Sequence, residues 1–183
     1  MESNKIQIID NYLSHDEFER VSNFMLGEQM KWTYLGNYGG NYPLMERVFY
    51  HEERGQERVG RSFILDESMT HLFPLLRKID PLVLLRIRAN CNWRTNPNDM
   101  QQRGWHTDFP KSVHATTSIF YINDNDGCTV FKDDDTICES KANRLLTFPS
   151  TMGHAATPFT NTERRILINI NYHGGKGVIK TSN

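Results

Sequence analysis

From Leu82 onward the chain is cut into short β-prone runs, and that rhythm leaves few architectures open. Residues 82–92 alternate after an apolar start: Leu85, Ile87, Ala89 and Cys91 fall on one face, Arg86, Arg88, Asn90 and Asn92 on the other, because successive strand side chains project to opposite sides. Residues 114–123, 128–131, 144–148 and 165–173 are further strand candidates, separated by Asn-, Asp- and Gly-rich turns. In the last of them Ile166, Ile168 and Ile170 face one way, while Arg165, Leu167, Asn169 and Asn171 face the other. The run Asn123-Asp124-Asn125-Asp126-Gly127 predicts a hairpin, since Asp-Gly adopts positive φ at little cost.

Helical signals lie earlier. Residues 6–9 read as a strand, and Ser14-His15-Asp16-Glu17 as a capping box before Phe18, Val21, Phe24 and Met25 at helical spacing, with Gly27 near the stop. A second helix is expected over 67–79, with Pro81 just beyond it. Residues 36–43 form a Gly-, Asn- and Tyr-rich loop, either a lid or a surface connection. Helices first and short strands afterwards give a mainly β fold with flanking α-helices: an antiparallel barrel or jelly roll, helices outside one sheet.

A length of 183 residues suits one domain, 1–183, and a net charge of -1 disfavours capture of nucleic acid by charge. No apolar run is long enough for a bilayer, and Met1-Glu2-Ser3-Asn4-Lys5 lacks the features of a secretory signal, so a cytoplasmic protein is expected. Cys91, Cys128 and Cys138, odd in number and without a CxxC, read as reduced thiols. Asp133-Asp134-Asp135 reads as a solvated loop.

Chemistry concentrates further on. In extended backbone His106 and Asp108, two residues apart, reach one ion from the same face. Two imidazoles and a carboxylate are the donor set of a non-haem Fe(II) centre, so a second histidine is needed. With seven histidines in the chain, one His-x-Asp pair is weak evidence by itself. His15-x-Glu17 and His51-x-Glu53 compete, although the first sits at a helix start, where i and i+2 diverge. Residues 144–154 supply the histidine: an apolar strand, a turn, then His154. Arg165 then falls on the inward face of a central-looking strand, where a cation needs an anionic partner. His15, His51, His71, His114 and His173 read as surface or satisfied core residues.

Taken together, His106, Asp108, His154 and Arg165, with Tyr121 inside Ile119-Phe120-Tyr121-Ile122-Asn123 and the segment Gly127-Cys128-Thr129-Val130-Phe131, resemble the Fe(II)/2-oxoglutarate-dependent oxygenases. Within that family the resemblance is to the prolyl-4-hydroxylase-like branch, including its small virus-borne members. It implies a double-stranded β-helix, a jelly-roll or cupin-like barrel. It implies that His106, Asp108 and His154 hold Fe(II), that 2-oxoglutarate chelates the metal, and that its far carboxylate lies on Arg165 and Tyr121. Asn90 or Asn92 would touch co-substrate or substrate, although the family often places a tyrosine near Asn92. Alternation favours Arg165 over Arg164, and Arg86 and Arg88 either line the substrate entrance or form a solvated face.

The implied cofactors are Fe(II), 2-oxoglutarate and O2, with ascorbate as an accessory reductant and succinate and CO2 as products. Asp108 stands where halogenating relatives carry a small residue, so hydroxylation is implied. A protein or peptide side chain leads the substrate classes, before a free amino acid or other small metabolite and then a nucleobase; a virus-encoded member would act in the host cytoplasm. Two other readings stay open, a cupin-like metal enzyme that does not use 2-oxoglutarate and a jelly-roll binding module without a metal. Oligomeric state has no sequence signal.

Overall fold

The structure, a computed structural model, describes residues 6–37, 43–52, 63–94 and 104–175. Its strands are β1 (Gln7–Ile9), β2 (Thr33–Asn37), β3 (Pro43–Glu52), β4 (Phe63–Leu65), β5 (Val83–Trp93), β6 (Thr116–Tyr121), β7 (Cys128–Phe131), β8 (Ile137–Glu139), β9 (Arg144–Pro149), β10 (His154–Ala156) and β11 (Arg164–His173). Two α-helices, α1 (His15–Leu26) and α2 (Phe73–Ile79), and a 3₁₀ helix over Glu67–Leu72 complete it.

The large sheet runs β1-β9-β6-β11-β5-β3-β2, with β4 also on β3, and the small sheet runs β10-β7-β8; every pairing is antiparallel. They form two facing sheets, and no strand pairing among the described residues closes them into a barrel. The alternation read in β5 and β11 now has a cause: each of the large sheet's two faces covers its own core. Ile87, Ala89 and Cys91 of β5, Ile166, Ile168, Ile170 and Tyr172 of β11, and Phe120 pack against Val21, Phe24 and Met25 of α1 and Leu75, Leu76 and Ile79 of α2. On the opposite face Ile119, Tyr121, Leu146, Phe148 and Leu167 meet Phe131 and Cys138 of the small sheet. Each fully buried large apolar side chain contributes about 1.5–3 kcal/mol by leaving water.

The start of α1 follows its sequence signal, since the Glu17 carboxylate accepts hydrogen bonds from the Ser14 N–H (3.3 Å) and hydroxyl (2.9 Å). Asn143, at φ 59°, binds the chain before α1 to the start of β9. Its amide oxygen accepts from the Leu13 N–H (2.8 Å) and its NH2 donates to the Leu13 carbonyl (2.9 Å).

Three expectations need correction. The helix expected over 67–79 is divided, a 3₁₀ turn to Leu72 and then α2, because Pro74 has no N–H for the ladder and fits the first turn of a new helix. Residues 33–52, given no strands by the sequence, carry β2 and β3. Residues 123–127 are not a hairpin: β6 belongs to the large sheet and β7 to the small one, so this segment crosses between sheets. Its acidic groups hold it in place instead. The Asp126 carboxylate accepts from the Thr160 N–H (2.7 Å) and hydroxyl (2.6 Å), and Asp124 accepts from the Ala142 N–H (2.7 Å). Asp133, Asp134 and Asp135 are exposed in the β7–β8 turn, as expected. Most of the candidate lid, 38–42, lies outside the described residues. Among the described residues no helix is long and apolar enough to cross a membrane.

Candidate metal centre

His106 and His154 are joined through their backbones before any metal is considered. The His106 N–H donates to the His154 carbonyl (3.1 Å) and the His154 N–H to the His106 carbonyl (2.9 Å). Directly opposed residues of an antiparallel pair project to the same side, and here the two ring centroids are 4.3 Å apart. His154 opens β10 and pairs with Phe131 of β7, so the small sheet carries it. Only His106 itself is bridged; beyond it the chain bends, and the Asp108 N–H donates to the Ser150 carbonyl (3.1 Å). One potential ligand atom from each of His106, Asp108 and His154 lies within 4.8 Å of the others.

Second hydrogen bonds orient the rings. Nδ1 of His154 lies 3.0 Å from the Met152 carbonyl and Nδ1 of His106 lies 3.4 Å from the Gly104 carbonyl. A carbonyl can only accept, so Nδ1 is the donor in each ring, which leaves Nε2 as the atom a metal would use. Phe148 stands edge-on to the His154 ring (4.8 Å), with Phe131 behind it (4.9 Å from Phe148). Burial lowers the His106 pKa, and the neighbouring His154 lowers it further against the opposing pull of Asp108, which favours the neutral imidazole.

The Asp108 carboxylate, its side chain 2% exposed, is held from three strands of the large sheet. Arg86 of β5 donates from Nη2 to Oδ1 (2.9 Å) and Thr117 of β6 from its hydroxyl to Oδ2 (2.7 Å). From β11, Asn171 donates to Oδ2 (3.2 Å), and Asn169 lies 3.4 and 3.3 Å from the two oxygens. Burial pushes this carboxyl up, but His154, Arg86 and the bonds from Thr117 and Asn169 outweigh it and hold the pKa below its ordinary value. Sequence reading missed this cage, although Arg86, Asn169 and Asn171 lay on the faces that the alternation had marked.

Arg165 points inward, as the alternation required, and is 1% exposed. Its Nη2 donates to the Thr129 hydroxyl (3.2 Å), its Cζ stands 5.7 Å from the Tyr121 ring centre, and its Nε is buried without a partner. Among the described residues no carboxylate forms an ion pair with it. The Tyr121 hydroxyl meets the same Thr129 hydroxyl (2.7 Å), and burial drives the phenol pKa upward. Asn92 faces Arg165 in register and is 4% exposed, with a buried, unpartnered Oδ1; Asn90 likewise has an unpartnered Oδ1. Arg164 faces the other way, over Trp93 (5.9 Å). Arg86 and Arg88 are no solvated face, because each is paired, with Asp108 (2.9 Å) and Glu46 (3.5 Å) respectively.

Other histidines stay apart from this group. His15 pairs with Glu19 at the surface (3.3 Å), His71 stacks on Phe24 (4.1 Å), and His173 donates to the His114 carbonyl (2.9 Å). Trp105 is exposed beside His106.

Solved structures of 2-oxoglutarate–Fe(II) oxygenases share the fold of this chain. A 2OG-Fe(II) oxygenase-family oxidoreductase from Burkholderia pseudomallei superposes with a TM-score of 0.66 at 11% identity, over 93% of this chain and 87% of the other. A Trichoplax adhaerens prolyl hydroxylase, solved with a peptide of hypoxia-inducible factor, gives 0.61 at 14%, over 93% and 84%. A viral collagen prolyl hydroxylase from Paramecium bursaria Chlorella virus-1, solved with 2-oxoglutarate, gives 0.56 at 15%, over 94% and 98%. No family model matches the sequence, and no curated protein matches it.

Proposed function

We propose that this chain is a single-domain Fe(II)- and 2-oxoglutarate-dependent oxygenase that hydroxylates a protein or peptide side chain. The observation that carries the reading is Arg165: a fully buried guanidinium with an orphaned Nε and, among the described residues, no carboxylate partner, beside a His-Asp-His group. A buried charge is tolerated when a counter-charge joins it, and the far carboxylate of 2-oxoglutarate is such a charge.

The residues fit both groups. His106 and His154 offer their Nε2 atoms, and Asp108 offers a carboxylate whose pKa its neighbours hold low, the two-imidazole, one-carboxylate set suited to ferrous iron. Arg165 would clasp the far carboxylate through its planar fork, with Tyr121, Thr129 and Asn92 around it. Iron and 2-oxoglutarate together would supply oxidative chemistry, one atom of O2 going into succinate as CO2 leaves and the other into a substrate C–H bond. The chain's own residues bind and orient. Phe131 and Phe148 wall the His154 side from water, and the cage around Asp108 holds its carboxylate without reorganisation. Ascorbate would keep the iron reduced. The free thiols Cys91, Cys128 and Cys138 agree with a reducing cytoplasmic setting.

The substrate class follows the prolyl hydroxylases among the structures of similar fold, one of them solved with a peptide. A metal enzyme on this scaffold that did not use 2-oxoglutarate would have no use for Arg165. The test is succinate release by anaerobically iron-loaded protein, exposed to O2 with 2-oxoglutarate and a library of proline-containing peptides. Succinate should form only with Fe(II), rise with the right peptide and disappear in His106→Ala. Protein that binds no 2-oxoglutarate and forms no succinate in any arm would end the proposal.

A further inference from the structure

The Asp108 cage contains a full positive charge as well as neutral donors. Arg86 is anchored twice: Nη2 donates to Asp108 Oδ1 (2.9 Å) and Nε donates to Asn171 Oδ1 (3.0 Å). The second bond fixes the Asn171 amide, whose NH2 then donates to Asp108 Oδ2 (3.2 Å) and the Thr117 hydroxyl (2.9 Å). Phe109 lies against the guanidinium (5.4 Å). Both partners are largely out of water, 18% and 2% exposed, and Asp108 is the carboxylate that pairs with Arg86, while Glu46 serves Arg88. Orientation alone does not need this charge, because Thr117, Asn169 and Asn171 already address both carboxylate oxygens.

Resting on the proposed metal centre, we propose that Arg86 is a positioning residue and built-in counter-ion: it neutralises Asp108 in the metal-free protein and shares that carboxylate with the metal when one binds. A carboxylate buried without a cation is strongly destabilising. With Arg86 in place the site is folded and charge-balanced before metal arrives. The cost falls on affinity, since a dication binding at Asp108 meets the guanidinium on the same carboxylate. Take Arg86 away and the remaining side-chain donors to Asp108, from Thr117, Asn169 and Asn171, are neutral, so folding leans on metal and metal binds tighter.

Mn(II), which does not oxidise in air as Fe(II) does, is the probe, read by thermal unfolding and titration calorimetry without turnover. Metal-free Arg86→Met should melt about 10 °C below the wild type, as expected for breaking a buried pair in a chain of this size. Saturating Mn(II) should raise its Tm by at least about twice the wild-type increment, with Kd about tenfold lower. Arg86→Lys, which keeps the charge, should retain the wild-type Mn(II) increment, and serves if Arg86→Met fails to fold. In Arg86→Met/Asp108→Asn, which removes both charges, the metal-free Tm should return to within about 3 °C of the wild type.

Equal Mn(II) increments in wild type and Arg86→Met would show Arg86 to be merely structural and overturn the inference, leaving the metal centre standing. So would a double variant as unstable as Arg86→Met. A wild type with no response to Mn(II) would remove the metal centre itself, and this inference with it.

Discussion

A guanidinium that is 1% exposed, hydrogen-bonded to the Thr129 hydroxyl and paired with no carboxylate among the described residues burdens the free protein. Its Nε is buried without any partner, and an unmet donor of that kind costs about 1–3 kcal/mol, more when charged. Arg165→Met should therefore leave the metal-free protein as stable as the wild type or more so, by urea unfolding. The same change would remove the proposed two-pronged, charge-assisted grip on a dicarboxylate, each bond worth about 1.5–3 kcal/mol. By calorimetry the Kd for 2-oxoglutarate should rise at least about 100-fold while that for Mn(II) moves less than about threefold. Parallel losses, or an equal loss in the outward-facing Arg164→Met, would contradict the assignment. Arg165 was legible in the sequence because strand alternation is strict: an arginine in phase with Leu167, Asn169 and Asn171 had to share their face. His106, Asp108 and His154 were legible as a spacing and an order. The Arg86–Asp108 pair was not, since nothing local shows which of four inward polar residues on β5 stands opposite a carboxylate 22 positions away.

Among elements, α1 and the chain just before it meet the large sheet in part through the ring of Phe120. Phe120 of β6 is fully buried, with Tyr12 (6.4 Å) and Phe18 (6.1 Å) meeting it edge-on. Phe120→Ala removes that contact and leaves a cavity between helix and sheet, so it should cost about 3–5 kcal/mol in urea unfolding. The next side chain, Tyr121, looks to the other face, so the metal-site side should keep its Mn(II) increment; an increment lost with Phe120 would mean that the two cores are not separate. Elements with a strong local cause were readable, such as α1 through Ser14 and Glu17 and β11 through its isoleucines. β8 and β10 have three residues each, too few to register a period of two. β3 went unread because Glu46, Arg47 and His51 interrupt its apolar residues, yet partners elsewhere absorb the first two: Glu46 pairs with Arg88, and Arg47 pairs with Asp66 (2.7 Å). The Asp-Gly signal at 126–127 misled, since neither residue takes a positive φ there and Asp126 instead anchors Thr160.

For the whole molecule, the division into two sheets has a mechanical consequence. The small sheet has strands of four, three and three residues and could not stand by itself. It is attached through Phe131 against Phe148 and through Thr129 against Tyr121 and Arg165. The proposed metal would bind across the same divide, because His154 is carried by β10 while Asp108 is caged by β5, β6 and β11. 2-Oxoglutarate on Arg165 would lie against Thr129 of β7, adding a second tie. In the metal-free protein the amides of β7 and β8 should then exchange with solvent deuterium through a partial opening, faster than those of Ile168 and Ile170 on β11. Mn(II) with 2-oxoglutarate should slow the small sheet selectively and close that gap, since a ligand touching both sheets must leave before either can part. Equal slowing everywhere would mean that the small sheet opens only when the whole molecule unfolds, and the ligands would then be stabilising one rigid body instead of pinning two.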